Sequence, residues 1–228
     1  MAWPDNVLTL AEAARIQREL KERISLEDRL PSPIATVAGL DVSHSRFSTT
    51  VFAIAVLLEY PSMRVIEEAW IDGKAVFPYQ PGYLAFREAP FVREALSKLS
   101  RRPDLLFVDG QGIAHPRGCG IASHIGVLED LPSVGCAKSV LYGRHCEVGP
   151  QFGDRAELVG RLDGESSILG YAVRTKPRSN PMILSPGYRI SPETAVRLVL
   201  ECVRGYRLPE PTRRAHEAAN RIRKAREG

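Results

Sequence analysis

Three acidic side chains stand where a folded chain usually places apolar ones. Asp41 closes the run Ile34-Ala-Thr-Val-Ala-Gly-Leu40, Asp109 closes Leu105-Leu-Phe-Val108, and Glu88 lies within a stripe formed by Leu84, Phe91, Val92, Ala95 and Leu99. A carboxylate taken out of water is costly unless a cation or hydrogen bonds compensate, so acids directed toward one sheet end point to a bound metal. Carboxylates around a partly hydrated hard cation suit Mg2+, with Mn2+ as a substitute. Such a site positions water and stabilises charge on a phosphoryl group, which is the chemistry of phosphodiester hydrolysis. Each acid alone has a plainer reading: Asp41 and Asp109 could begin turns, and Glu88 could turn aside to Arg87 or Arg93. The three together, in this order, favour the metal site.

Of the histidines, His44, His115, His124, His145 and His216, the last stands out because it lies beside Arg213 and Arg214 in a basic terminal segment, where it could meet the same phosphate. A lone histidine is more often structural than catalytic. The cysteines, Cys119, Cys136, Cys146 and Cys202, form no Cys-x-x-Cys pair, which argues against a zinc ribbon or a disulfide framework and for free thiols in the cytoplasm.

The elements that must position these groups follow from periodicity. An opening amphipathic helix is capped by Thr9 or Asn6 and stops near Pro31-Ser-Pro33. Extended segments then run from Ile34 to Val42, Thr50 to Glu59 and Arg64 to Ile71, with turns at His44 to Ser48 and Tyr60 to Ser62. Links this short join antiparallel neighbours, giving a three-strand meander. A helix from about Gly82 to Ser100, a strand at Leu105 to Val108, a helix from Cys119 to Glu129 and a strand at Val134 to Ala137 add parallel strands to it. Strands at Glu157 to Leu162 and Ile168 to Arg174 flank Asp163-Gly164, and helices near Pro192 to Arg204 and Thr212 to Arg226 close the chain. The expected fold is α/β, a mixed sheet flanked by helices, in one domain over residues 1–228. In it, Val37, Gly39 and Asp41 share a strand face, Glu88 looks at the sheet, and Asp109 stands at a strand's carboxyl end, where open α/β sheets bind ligands.

At 228 residues, 44% hydrophobic and 25% charged, the composition is that of a globular protein, and the formal charge of +4 leans toward an anionic partner. The longest strongly apolar run, Val51 to Leu58, is too short to span a bilayer, so no membrane association is expected.

Several ordered blocks carry a resemblance: Pro78-Tyr-Gln-Pro-Gly-Tyr-Leu-Ala-Phe-Arg-Glu88, Val108-Asp-Gly-Gln-Gly-Ile-Ala-His-Pro-Arg117, Gly120-Ile-Ala-Ser-His124, Gly135-Cys-Ala-Lys138 and Arg207-Leu-Pro-Glu-Pro-Thr-Arg213. From about Leu10 to Arg223 the chain resembles the endonuclease V family, deoxyinosine-directed repair nucleases with a ribonuclease H-like fold. The resemblance implies that Asp41 and Asp109 bind the metal, that Glu88 completes the catalytic cluster, and that His216 fills the last catalytic position, its role left open. It implies a nick one nucleotide beyond the 3′ side of deoxyinosine, leaving a 3′ hydroxyl and a 5′ phosphate. Inosine-containing RNA as substrate, or binding without cleavage, are the alternatives. A monomer is expected.

Reaching a base inside a duplex requires unstacking it. The Pro78-Tyr79-Gln80-Pro81 turn resembles the family's strand-separating wedge, and Leu84, Gly120 and Ile121 are expected to line the inosine pocket. Lys138 resembles a lysine near the scissile phosphate. Arg117 and Arg213 are expected to bind DNA through phosphate, while His115 either holds its loop or touches DNA.

Overall fold

The computed structural model describes residues 8–45 and 48–227; Asn6, the alternative first cap, and Arg46-Phe47 of the first turn lie outside them. Thr9 caps α1 (Leu10–Lys21): its hydroxyl accepts from the Glu12 N–H at 3.2 Å while the Glu12 carboxylate accepts from the Thr9 N–H at 2.8 Å. The meander forms as expected from β1 (Thr36–Ser43), β2 (Thr50–Glu59) and β3 (Val65–Lys74), all antiparallel. After α2 (Leu84–Ser97), β4 (Leu105–Val108) pairs parallel to β1; after α3 (Ile121–Glu129), β5 (Ser133–Ala137) pairs parallel to β4. Helix α2 begins later than its pattern suggests because Gly82, at φ +77°, turns the chain just before it.

Next come β6 (Arg155–Leu162) and β7 (Glu165–Val173), a hairpin whose turn residues Asp163 and Gly164 both take positive φ, as a tight right-twisted hairpin requires. Strand β8 (Met182–Tyr188) has no counterpart in the pattern read from sequence. It carries Pro186 and Gly187, residues that normally exclude a central strand. The sheet accommodates them at a register shift between Ser133 and Val134 of β5, where the ladder is already interrupted. With α4 (Pro192–Glu201) and α5 (Glu210–Glu227) the chain closes, and the strand order is β3-β2-β1-β4-β5-β8-β7-β6. This is a ribonuclease H-like mixed sheet covered by helices on both faces.

Alternation along the strands separates two cores. Val37, Ile54, Val56, Leu105 and Phe107 pack toward α4 and α5, whereas Ala38, Leu40, Ala55, Leu106 and Val108 pack toward α2 and α3. Each large side chain buried this way contributes about 1.5–3 kcal/mol. Gly39 decides where α5 sits. A Cβ there would stand 1.9 Å from the Pro211 carbonyl oxygen, so only glycine lets the helix start lie directly on β1. Ala215, Ala218 and Ala219 keep that contact close along the helix. The same approach brings His216 to the carboxyl end of β1.

Candidate active site

Leu40 and Val108 are register partners on adjacent parallel strands, so Asp41 and Asp109 follow side by side. The Asp109 N–H donates to the Leu40 carbonyl at 3.0 Å and extends the ladder by one step. From α5, His216 Nδ1 lies 2.8 Å from Asp41 Oδ2 and 3.8 Å from Asp109 Oδ2. Lys138, directly after β5, places Nζ 2.5 Å from Asp109 Oδ2. The other Asp41 oxygen accepts from the Val42 N–H at 2.7 Å.

Glu88 is buried on α2, near enough to Asp41 and Asp109 to feel their charge, but it is not among the three groups whose ligand atoms lie within 4.8 Å of one another. Neither neighbouring arginine takes it. Arg87 donates to the carbonyls of Phe77 and Ser48, and Arg93 pairs with Glu129. Burial, then the charge of Asp41, pushes the Glu88 carboxyl well above the ordinary carboxylate range. Asp109 is raised for the same two reasons, with Lys138 pulling the other way. His216 is raised, chiefly by its hydrogen bond to Asp41.

One oxygen of Asp41, one of Asp109 and a ring nitrogen of His216 lie within 4.8 Å of one another, close enough to share one ion. The donor set fits a hard divalent cation: two carboxylates from rigid strand ends, a third acid behind them, and upward-shifted carboxyls that a dication would relieve.

Gly110 and Ala137, the chain neighbours of Asp109 and Lys138, line a cavity of about 180 Å³ that also takes in Leu84, Gly120 and Ile121. All three residues expected to form a base pocket therefore meet in one place. Ser139, Val140, Leu141 and Gln17 also line it, and no spacing in the sequence singles them out. A larger groove of about 660 Å³ lies against β6, but none of the acids of the cluster lines it. Tyr79 is 63% exposed at the loop before α2, its ring centroid 6.3 Å from that of His44.

Three residues expected at the DNA also have partners within the protein. His115 Nε2 donates to the Gly82 carbonyl at 2.8 Å, its Nδ1 accepts from the Arg117 N–H, and burial lowers its pKa to about 4. It is a neutral strut between the Gly82 and Arg117 segments, and it also lines the cavity. Arg117 donates to the same carbonyl and to Gln17, and its guanidinium lies over the Tyr83 ring. Arg213 is held by Glu210 and Glu217. The His115 and Arg117 side chains thus fix the Gly82 turn, and Gly82 lines the cavity.

The sheet order places paired acids at the ends of β1 and β4, with a third on the helix between them in sequence, on a fold of the ribonuclease H-like class. The comparisons with known proteins are specific. A family model of Endonuclease V matches residues 18–217. Endonuclease V of Roseiflexus sp. (strain RS-1) is 47% identical over 218 residues, covering 96% of this chain and 94% of that protein. The crystal structure of Endonuclease V from Streptomyces avermitilis superposes with a TM-score of 0.88 at 37% identity, covering 100% of this chain and 97% of that one. Endonuclease V of Ciona intestinalis, crystallised with a 24mer DNA containing an inosine followed by a ribo-adenosine, superposes with a TM-score of 0.80 at 29% identity over 95% of this chain and 98% of that one. The chain belongs to the Endonuclease V family.

Proposed function

We propose that this protein is a DNA repair endonuclease that requires Mg2+, with Mn2+ as a substitute, and cuts a strand one nucleotide beyond the 3′ side of deoxyinosine. The observation that carries this reading is the juxtaposition of the acid cluster with a cavity of about 180 Å³ whose wall combines glycines with apolar and amide side chains. Asp41 and Asp109 would hold the cation, with Glu88 behind them; bound there, a divalent cation supplies a positioned water and neutralises charge on the phosphoryl group. Water adds to phosphorus as the bond to O3′ breaks, and O3′ takes a proton, leaving a 3′ hydroxyl and a 5′ phosphate. Lys138, already paired with Asp109, is placed to exchange that carboxylate for a phosphate oxygen.

Unstacking a base costs a few kcal/mol, less at a mispair. Tyr79 is the exposed aromatic that would fill the vacated stack, and the cavity beside Asp109 would receive the base. Gly82, Gly110 and Gly120 bring main chain into the cavity wall, where backbone N–H and C=O groups would meet the base. Hypoxanthine offers a ring N–H and a carbonyl where adenine offers a lone pair and an amine, so main-chain groups of fixed polarity can separate them.

The test is side-by-side cleavage of DNA and RNA oligonucleotides of one sequence carrying inosine or adenosine at a single site. Cleavage of the inosine DNA over the adenosine control supports the reading. A strong preference for inosine RNA moves the activity to an endoribonuclease, and indifference to inosine removes the lesion reading.

A further inference from the structure

His216 is held on its outer side by a chain of hydrogen bonds whose polarity can be read from its ends. Arg223 Nε, which can only donate, reaches Ser43 Oγ at 2.9 Å. The His216 carbonyl, which can only accept, lies 3.0 Å from Asn220 Nδ2, so Asn220 Oδ1 is the atom that faces Ser43 and accepts its hydrogen at 2.9 Å. With its oxygen so engaged, the Asn220 amide nitrogen faces His216: one N–H goes to the His216 carbonyl at 3.0 Å, and the same nitrogen lies 3.2 Å from ring Nε2, within reach of its second hydrogen. An Nε2 that accepts this hydrogen carries no proton, which puts the ring proton of the neutral imidazole on Nδ1, 2.8 Å from Asp41 Oδ2. Ser43 lies two residues beyond Asp41 on β1 and Asn220 one helical turn beyond His216 on α5, so the relay spans the same β1–α5 contact that builds the site.

We infer that Asn220, oriented by Ser43 and Arg223, is a positioning residue that locks His216 as an Nδ1–H donor toward the paired acids, making it a hydrogen-bond and proton-holding group rather than a third cation ligand. For Nδ1 to ligate an ion, the proton would have to move to Nε2, where it would meet the Asn220 N–H. The inference rests on reading Asp41, Asp109 and His216 as the cleavage site, and it assigns the role that the sequence leaves open.

The direct test is the ¹⁵N spectrum of the His216 ring in the metal-free protein, at a pH where the imidazole is neutral. The wild type is expected to show a protonated Nδ1 and a bare Nε2. Asn220→Asp replaces the donor by an acceptor and is expected to move the proton to Nε2. Ser43→Ala, which frees the amide to rotate, is expected to give a mixture of tautomers. In cleavage assays Asn220→Asp should lower kcat by about tenfold, a part of the roughly 10²–10⁴ that a positioned proton donor supplies, with KM little changed. A wild-type ring protonated at Nε2, or a spectrum unchanged by both substitutions, overturns the inference. Because the spectrum is recorded without nucleic acid, it stands apart from any failure of the inosine reading.

Discussion

Asp109→Asn should separate what the acid cluster does for stability from what it does for activity. Asp41 and Asp109 offer oxygens within 4.8 Å. At an effective dielectric of about 20, two unit charges at that distance repel by about 3 kcal/mol. The Lys138 pair opposes this, but Lys138 is 39% exposed, and such a pair contributes about 0.2–1 kcal/mol. The substituted amide would keep the shape of the carboxylate, and its oxygen can still accept from Lys138. Because wild-type Asp109 evades part of the repulsion by its raised pKa, the metal-free variant should be more stable by about 1–2 kcal/mol, which for a chain of this size is roughly 3–6 °C in Tm. The sign with pH is fixed. A carboxyl whose folded pKa lies above its unfolded value loses stability as pH rises through the folded pKa, so the variant's advantage should appear above that pKa and vanish below about pH 4. Thermal melts in chelator at pH 5 and pH 8 measure this, and a titration with Mg2+ completes it. The wild type should gain stability from the ion and the variant much less, while cleavage falls by about 10²-fold or more. A variant less stable than wild type in chelator at pH 8, or equally stabilised by Mg2+, would be incompatible with a self-repelling pair of acids that an ion relieves.

Gly39→Ala should destabilise by at least about 1–3 kcal/mol and displace α5, because the added methyl meets a backbone carbonyl rather than a flexible side chain; a normal melt and normal cleavage would show that the β1–α5 contact does not set the site. Tyr79→Ala should reduce cleavage of inosine in duplex by about tenfold and in single strands by far less, and equal losses on both would remove the wedge. For Lys138→Ala, the salt dependence of binding should weaken by roughly one counterion and the rate should fall; an unchanged salt slope would argue that its ammonium stays on Asp109.

The fold was legible where local pattern and connection length agree. The meander, the two parallel additions and the β6–β7 hairpin all follow from alternation, short links and an Asp-Gly turn. Strand β8 was not, because Pro186 and Gly187 break the local rule and are tolerated only through a register shift that depends on β5. The acids were legible because a charge ending an apolar run is conspicuous in one dimension. Asn220 and Ser43 were not, since an asparagine on a polar helix face and a serine at a strand end look ordinary until α5 is laid on β1. The internal partners of Arg117 and Arg213 were not legible for a related reason: sequence supplies the charge but not its pairing with Gln17, Glu210 and Glu217.

Whether the acid cluster and the neighbouring cavity act together on one lesion is decided by mapping cleavage of an end-labelled duplex carrying one deoxyinosine, with Mg2+ or with chelator. A single nick one nucleotide past the 3′ side of the lesion is expected, present only with the ion and with a 3′ hydroxyl at the break. A nick that persists in chelator, or that appears equally in the adenosine control, would overturn the proposed function.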